Sequence, residues 1–259
     1  MSLDSVSNQS FVHTFKNNVL LYLSLHWKAL LIEAWALGTF MISAALCTIL
    51  IETNISGEHA ILKRLFTGLA MGLTAILIIY SPWGRHSGAH MNPAMSFTML
   101  LLRKMERYTA WMYIAFQFIG GIIGLALVNL FLNDKLMKAN VNFVQTLPGP
   151  QGIGKAFMGE YLISFILILM VLFSSNDKTG RRYTGVFAGI LITAFITFES
   201  PYSGMSMNPA RTMSSALLAG NYKYLWIYFL APVAGMLSAA FSWKWWICKK
   251  NTFQCGYHF

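Results

Sequence analysis

Apolar residues along this chain come in long, nearly unbroken runs separated by short polar stretches, at Lys28–Ile51, Ile61–Ser81, Tyr108–Leu132, Ala156–Phe173, Tyr183–Phe198 and Lys223–Cys248. A helix needs about 20 apolar residues to cross a bilayer, so each run reads as one crossing. Strands of a membrane barrel would alternate polar and apolar residues; these runs do not, which excludes a barrel. The pattern predicts an all-α membrane protein with six transmembrane helices.

Two further apolar segments, Asn92–Leu102 and Asn208–Ala219, are each followed by another full run and so cannot themselves cross. Eleven residues of helix reach about 16 Å, roughly half of the hydrocarbon core. They are predicted to be half-helices. Non-helical backbone at that depth is tolerated only inside protein or beside a water-filled cavity, so a pore or substrate cavity is implied.

The chain also repeats itself. Ser87-Gly88-Ala89-His90-Met91-Asn92-Pro93-Ala94 matches Ser203-Gly204-Met205-Ser206-Met207-Asn208-Pro209-Ala210 at six of eight positions, with an offset of 116 from Asn92 to Asn208. Gln117-x-x-Gly120 in the third run is echoed by Pro232-x-x-Gly235 in the sixth. One unit is three crossings plus a half-helix. Three is odd, so the second copy enters from the opposite side and the repeats are inverted. The expected organisation is a polar segment at residues 1–27, a channel domain at 28–248 built from repeats 28–132 and 156–248, and a tail at 249–259.

Composition agrees with the lipid assignment. Only 11% of the 259 residues are charged and 56% are hydrophobic, against about 25% charged in soluble domains. The formal net charge of +10 raises nucleic acid as a partner, but membrane proteins gather Lys and Arg in cytoplasmic loops, and no nucleic-acid partner is expected. With six crossings both termini share one side, and that side holds 12 of the basic residues against 7 opposite. Both termini are therefore expected in the cytoplasm of a multi-pass protein of the cell membrane. Cys47, Cys248 and Cys255 show no metal-ligand or disulfide spacing. Residues 1–27 lack the charged head and short apolar stretch of a cleaved signal.

Asn-Pro-Ala is a compact helix start: Asn is a strong N-cap, and Pro suits the first helical position because the N–H it lacks would be unpaired there anyway. On a surface helix it would mean capping alone. Here two copies each open a segment too short to cross, and inversion brings both helix N-termini to the middle of the membrane. Two positive dipole ends aimed at one place oppose a cation or proton. The Asn92 and Asn208 amides offer N–H donors to a passing oxygen, so a central water would accept rather than relay protons.

These paired motifs, the Arg directly after the second, and Gln117-x-x-Gly120-Gly121 resemble the aquaporin (major intrinsic protein) family over roughly residues 28–248. The resemblance implies six tilted helices around a single-file pore, no cofactor and no catalysis, and assembly as a homotetramer. It marks Asn92, Pro93, Ala94, Asn208, Pro209 and Ala210 as the pore motif. It also places Arg211 in a narrow selectivity filter toward the outer face. A cation three residues after an N-cap sits at the unfavourable end of the dipole, so stability alone would not choose it; the first repeat has Met95 there. Otherwise Arg211 would only tie down loop carbonyls. By the same resemblance the other filter positions are Met205, Ile196 and Met71, or Gly72 given a one-residue length difference before Asn92. Water-selective members commonly have a His on the fifth helix; Ala194–Phe198 has none. An apolar wall facing one Arg is glycerol-like in character, although the aromatic residues of such filters are missing. Thr212 and Ala216, where glycerol facilitators carry Asp and a basic residue, and the Tyr228-Phe229 pair resemble water channels. Water is the expected principal permeant, with glycerol or another small neutral solute as the alternative.

Glu33 and Glu160 lie in apolar helices, where an ionisable residue is costly. Either they form a proton pathway, or each accepts hydrogen bonds from the irregular approach to a half-helix. Glu160 matches the family position for the second role. Glu33 stands five residues before Gly38, where the family usually shows three, and that shift turns a side chain by about 200°. His90 matches a family histidine near the first motif and is expected in the cytoplasmic half of the pore, with Arg85 and His86 at its mouth or in an ordinary basic loop. Gln117 is expected to line or support the pore. Gly120, Gly121, Gly124 and Gly235 suit close helix contacts, and Trp243, Trp245 and Trp246 beside Lys249-Lys250 suit an interfacial belt. The competing classes are a proton-coupled transporter, which inverted repeats also serve, a non-conducting membrane scaffold, and an intramembrane hydrolase, for which no nucleophile and base pair up.

Overall fold

The computed structural model describes the backbone of residues 3–250 apart from 56 and 58, and the side chains of residues 24–246 apart from the same two. The helices are α1 (Leu3–Asn54), α2 (Ala60–Tyr80), α3 (Pro82–Ser87), α4 (Pro93–Leu101), α5 (Arg107–Leu136), α6 (Ile153–Asn176), α7 (Thr184–Phe198), α8 (Ser200–Ser203), α9 (Pro209–Ala219) and α10 (Leu225–Lys250). No strand occurs among the described residues. Cys248, Cys255, Lys249, Lys250 and the tail lie outside the described side chains.

One boundary differs clearly from the sequence pattern. α1 begins at Leu3 rather than near Lys28, because residues 3–27 contain neither Gly nor Pro to stop a helix. Its apolar part, Ser24–Asn54, is one of five helices long and apolar enough to cross a membrane by themselves. The expected fifth crossing, Tyr183–Phe198, is not among them: α7 has 15 residues, about 22 Å. A 3-10 turn at Gly180–Tyr183 precedes it and α8 follows it. α5 leaves helical geometry at Leu132 (φ −134°), where the apolar run ends.

Outward faces carry bare apolar side chains, with Leu130 73% and Phe131 78% exposed, while Glu33, Gln117 and Glu160 are fully buried. This inversion of the soluble pattern fits a lipid solvent. Without a hydrophobic drive between helices in lipid, close contact comes from small residues. Gly120 of α5 closes on the backbone of Ala34 in α1, and Gly235 of α10 closes on Tyr161 in α6. At the centre of the α2–α7 contact, Gly72 and Gly189 meet backbone to backbone. That pair relates each helix to the other through the repeat, so the inverted duplication is present in the packing.

A Cβ at Gly72 would collide with Gly189 O and Thr193 Oγ1. Gly72→Ala is therefore expected to lower stability by about 1–3 kcal/mol, read as a lower midpoint of thermal unfolding in detergent; an unchanged midpoint would show that the two helices can part at no cost.

Candidate functional site

The two half-helices start as their sequences require. Asn92 and Asn208 are extended (φ −154° and −145°), and each side-chain Oδ1 caps its own helix, accepting from Ala94 N at 2.9 Å and from Ala210 N at 3.0 Å. Pro93 and Pro209 occupy the first turn. The amides also reach across the repeat: Asn92 Nδ2 donates to Met207 O at 2.7 Å and Asn208 Nδ2 donates to Met91 O at 2.6 Å. An amide nitrogen carries two protons, so each Asn keeps one donor in a fixed direction. Both line a single cavity of about 740 Å³. Pro93, Ala94, Pro209 and Ala210 are buried and are absent from the cavity wall; in each motif the Asn faces the opening and the other two residues build the cap.

The approach to each half-helix is irregular in the same way twice. α3 ends at Gly88 and α8 at Gly204, both left-handed (φ 88° and 80°). Positive φ follows at Ala89 and Met91 and again at Met205 and Met207. Such backbone cannot satisfy its own N–H groups, and a buried carboxylate does so in each repeat. Glu33 accepts from Ser87 Oγ (2.8 Å), His90 N (3.0 Å), Met91 N (2.8 Å) and Gln117 Nε2 (2.8 Å). Glu160 accepts from Ser203 Oγ (2.7 Å), Ser206 N (2.6 Å) and Met207 N (2.7 Å). Neither carboxylate lines the cavity. The five-residue spacing from Gly38 does not turn Glu33 away from this role. Its register is set by Ala34 against Gly120, as that of Glu160 is set by Tyr161 against Gly235, and not by its distance from Gly38.

Gln117 is fully buried and bridges Glu33 to Ser96 Oγ at 3.1 Å, so it supports the first loop rather than lining the opening. His90 does line it, with Nδ1 3.0 Å from Ser96 Oγ and its ring edge against Tyr113. Tyr113 and Tyr228, whose hydroxyls donate to Ser87 O and Ser203 O at 2.9 and 2.6 Å, hold the matching loop starts. In the sequence Tyr228 stands out only as a subgroup marker; the near-repeat offset of Gln117 and Pro232 is the signal that pairs it with Tyr113.

Met71, Ile196, Met205 and Arg211 all line the cavity, whereas Gly72 does not. Among the described residues the Arg211 guanidinium makes no hydrogen bond, and its Nη1 is buried without a partner. The role of tying down loop carbonyls is therefore not what the geometry shows. The inverted counterparts of the four, Ala188, Ile79, Ala89 and Met95, also line the cavity and are all apolar, so the two sets of four differ by one guanidinium. Missed from sequence were Arg64 and Gln145, which line the Arg211 end. Arg64 Nε donates to Thr197 O at 3.0 Å, and Gln145 Nε2 is buried without a partner; neither belongs to a motif. Arg85, Arg181 and Arg182 line the opposite end. No group of residues able to hold a metal occurs among the described residues.

The chain matches the family model described as Major intrinsic protein over residues 22–243. It is 36% identical over 213 residues to aquaporin NIP3-1 of Arabidopsis thaliana, covering 79% of this chain and 64% of that protein, so it spans just under two thirds of this relative's length. It is 34% identical over 177 residues to glycerol uptake facilitator protein-like 6 of Lactiplantibacillus plantarum, covering 67% of this chain and 81% of that one. In fold it is similar to the aquaglyceroporin from Plasmodium falciparum, with a TM-score of 0.74 at 19% identity over 87% of this chain and 98% of that one. The chain belongs to the major intrinsic protein family: it is a multi-pass membrane channel for water or small solutes, and not an enzyme.

Proposed function

We propose that this channel passes water as its principal permeant, admits small uncharged solutes, and excludes protons and ions. The observation that carries the reading is the unpartnered, buried Arg211 Nη1 on a cavity whose middle holds the two fixed Asn amides. A buried donor without a partner costs about 1–3 kcal/mol, and a passing oxygen would relieve that cost. Each Asn has one free donor and its Oδ1 is engaged by its own helix, so a water at the middle accepts from both and points its protons outward. The two half-helix N-termini and Arg211 oppose a cation at two levels.

A second reading, a glycerol or small-solute facilitator, draws on the apolar wall of Met71, Ile196 and Met205 facing Arg211. It also draws on the glycerol-related names of two relatives. Proton-coupled transport has less support, because Glu33 and Glu160 are spent on loop N–H groups and stand off the cavity. In this reading the cavity end with Arg64 and Gln145 is the outer mouth. The end with Arg85, Arg181 and Arg182 is the cytoplasmic mouth, both termini are cytoplasmic, and the chain works in the cell membrane as a homotetramer.

Stopped-flow light scattering on proteoliposomes compares these readings. Water permeability well above that of empty vesicles, with slower glycerol and urea entry, is expected. Glycerol entry at a rate comparable to water would favour the facilitator, a flux that follows an imposed proton gradient would favour the transporter, and no excess permeability for any solute would remove the channel reading.

A further inference from the structure

Repeat two holds a carboxyl that repeat one lacks. Glu199 caps the end of α7 and is half-buried. Its Oε2 lies 3.0 Å from Ser203 Oγ, the same atom that lies 2.7 Å from Glu160 Oε1. Its Oε1 is buried with no partner and rests against Gly159. Gly159, the residue before Glu160, leaves the slot that this carboxyl fills, whereas Ile32 precedes Glu33 in repeat one. At the matching end of α2 the chain reads Pro82-Trp83, so Ser87 serves one carboxylate where Ser203 serves two.

The hydrogen-bond inventory at Ser203 decides who holds the proton. A serine hydroxyl has one proton and two lone pairs. Its proton goes to Glu160, the better-stabilised anion of the two, because Glu160 also accepts from Ser206 N and Met207 N whereas Glu199 Oε1 has no partner. One lone pair of Ser203 Oγ accepts from Met205 N at 3.0 Å. The contact with Glu199 is then a hydrogen bond only if Glu199 donates. An ionised Glu199 would compete for the single Ser203 proton and face a second carboxylate at close range.

We propose that Glu199 is a positioning residue of the channel that bears a proton: neutral, it donates to Ser203 Oγ and fixes the loop through Met205, and on losing the proton it releases that loop and lowers permeation. The inference deepens the channel reading and rests on it. The charged and titratable groups around Glu199 are Glu160 of α6 and Tyr228 of α10. Arg211 of α9 faces that same pair, and Arg64 of α2 docks on Thr197 two residues earlier. Met205 is both the residue that Ser203 holds and a wall of the cavity at the Arg211 end, which is the route from the proton to the permeant.

The test is water permeability of proteoliposomes of uncharged phosphatidylcholine as bath pH rises from about 5 to about 9, spanning the range into which a buried carboxyl's titration moves. The wild-type chain is expected to hold a plateau in acid and fall about threefold toward alkaline pH, within what altering a coupled network does. E199Q, whose amide donates to Ser203 Oγ as the neutral acid does, is expected to stay at the acid plateau throughout. E199A should also lose the pH response, from a lower plateau. A flat wild-type profile, or a glutamine or alanine variant that keeps the wild-type fall, overturns the proposal. Infrared absorption of the wild-type chain reads the proton without any flux. A protonated-carboxyl band at neutral pH that vanishes in alkali and is absent from E199Q supports the assignment, and its absence from the wild-type chain refutes it. Vesicles that conduct nothing at any pH defeat the channel reading alone, since the infrared result still decides where the proton is.

Discussion

Arg211→Val is expected to give a folded channel that has lost its discrimination. Arg211 is the one cationic group among the four residues of its ring, and its Nη1 engages no other part of the protein, so removing the side chain strands no partner. A unit charge about 4 Å from a permeating cation costs about 4 kcal/mol at an effective dielectric constant near 20, about a thousandfold in rate. Removing it lifts a barrier of that order, while the half-helix N-termini continue to oppose cations, so the leak rises without becoming an open cation pore. Valine is also smaller, and glycerol and urea entry relative to water is expected to rise about tenfold or more. Solute-specific stopped-flow and planar-bilayer conductance measure the two effects separately. If both selectivities match the wild-type chain, Arg211 does not face the permeant.

Glu160→Leu is expected to cost the fold. It strands Ser206 N and Met207 N, each at about 1–3 kcal/mol, and leaves Glu199 as the one carboxyl partner of Ser203 Oγ. The space it vacates lies beside Tyr228 and Ser203, both fully buried. Water conductance should vanish and the unfolding midpoint in detergent should drop sharply. Glu160→Gln should fall between leucine and wild type, because one amide oxygen still accepts while the NH2 end opposes a donor. A leucine variant with wild-type melting and flux would show that the loop before Asn208 is held by its own turns and not by the carboxylate.

Much of this was legible in the chain. The half-helices could be located because Asn-Pro starts a helix by local chemistry and because segment length against bilayer thickness is a one-dimensional comparison. Asn208 and Gly220 bound α9 where the sequence places them. Glu160 was legible because a carboxylate in an apolar run must find donors. Glu33 was less legible, because its direction depends on where α5 touches α1, at Ala34 and Gly120, and helix register across a contact is not written in spacing along one helix. The long α1 was missed because apolar runs measure hydrophobicity, whereas helix ends follow hydrogen bonding and breakers; α7 lies within one residue of its run.

Sequence by itself determined the solvent, the number of units, their inversion and the family, since charge content, run length and a duplicated motif are properties of order along the chain. Only the tertiary structure decided which polar atoms remain unsatisfied. It spent one proton of each Asn amide across the repeat and left Arg211 Nη1 and Gln145 Nε2 without partners. It also set Glu199 beside the serine that Glu160 already uses. Which donor is free is a matter of three-dimensional neighbours, and the free donors are what a passing molecule meets.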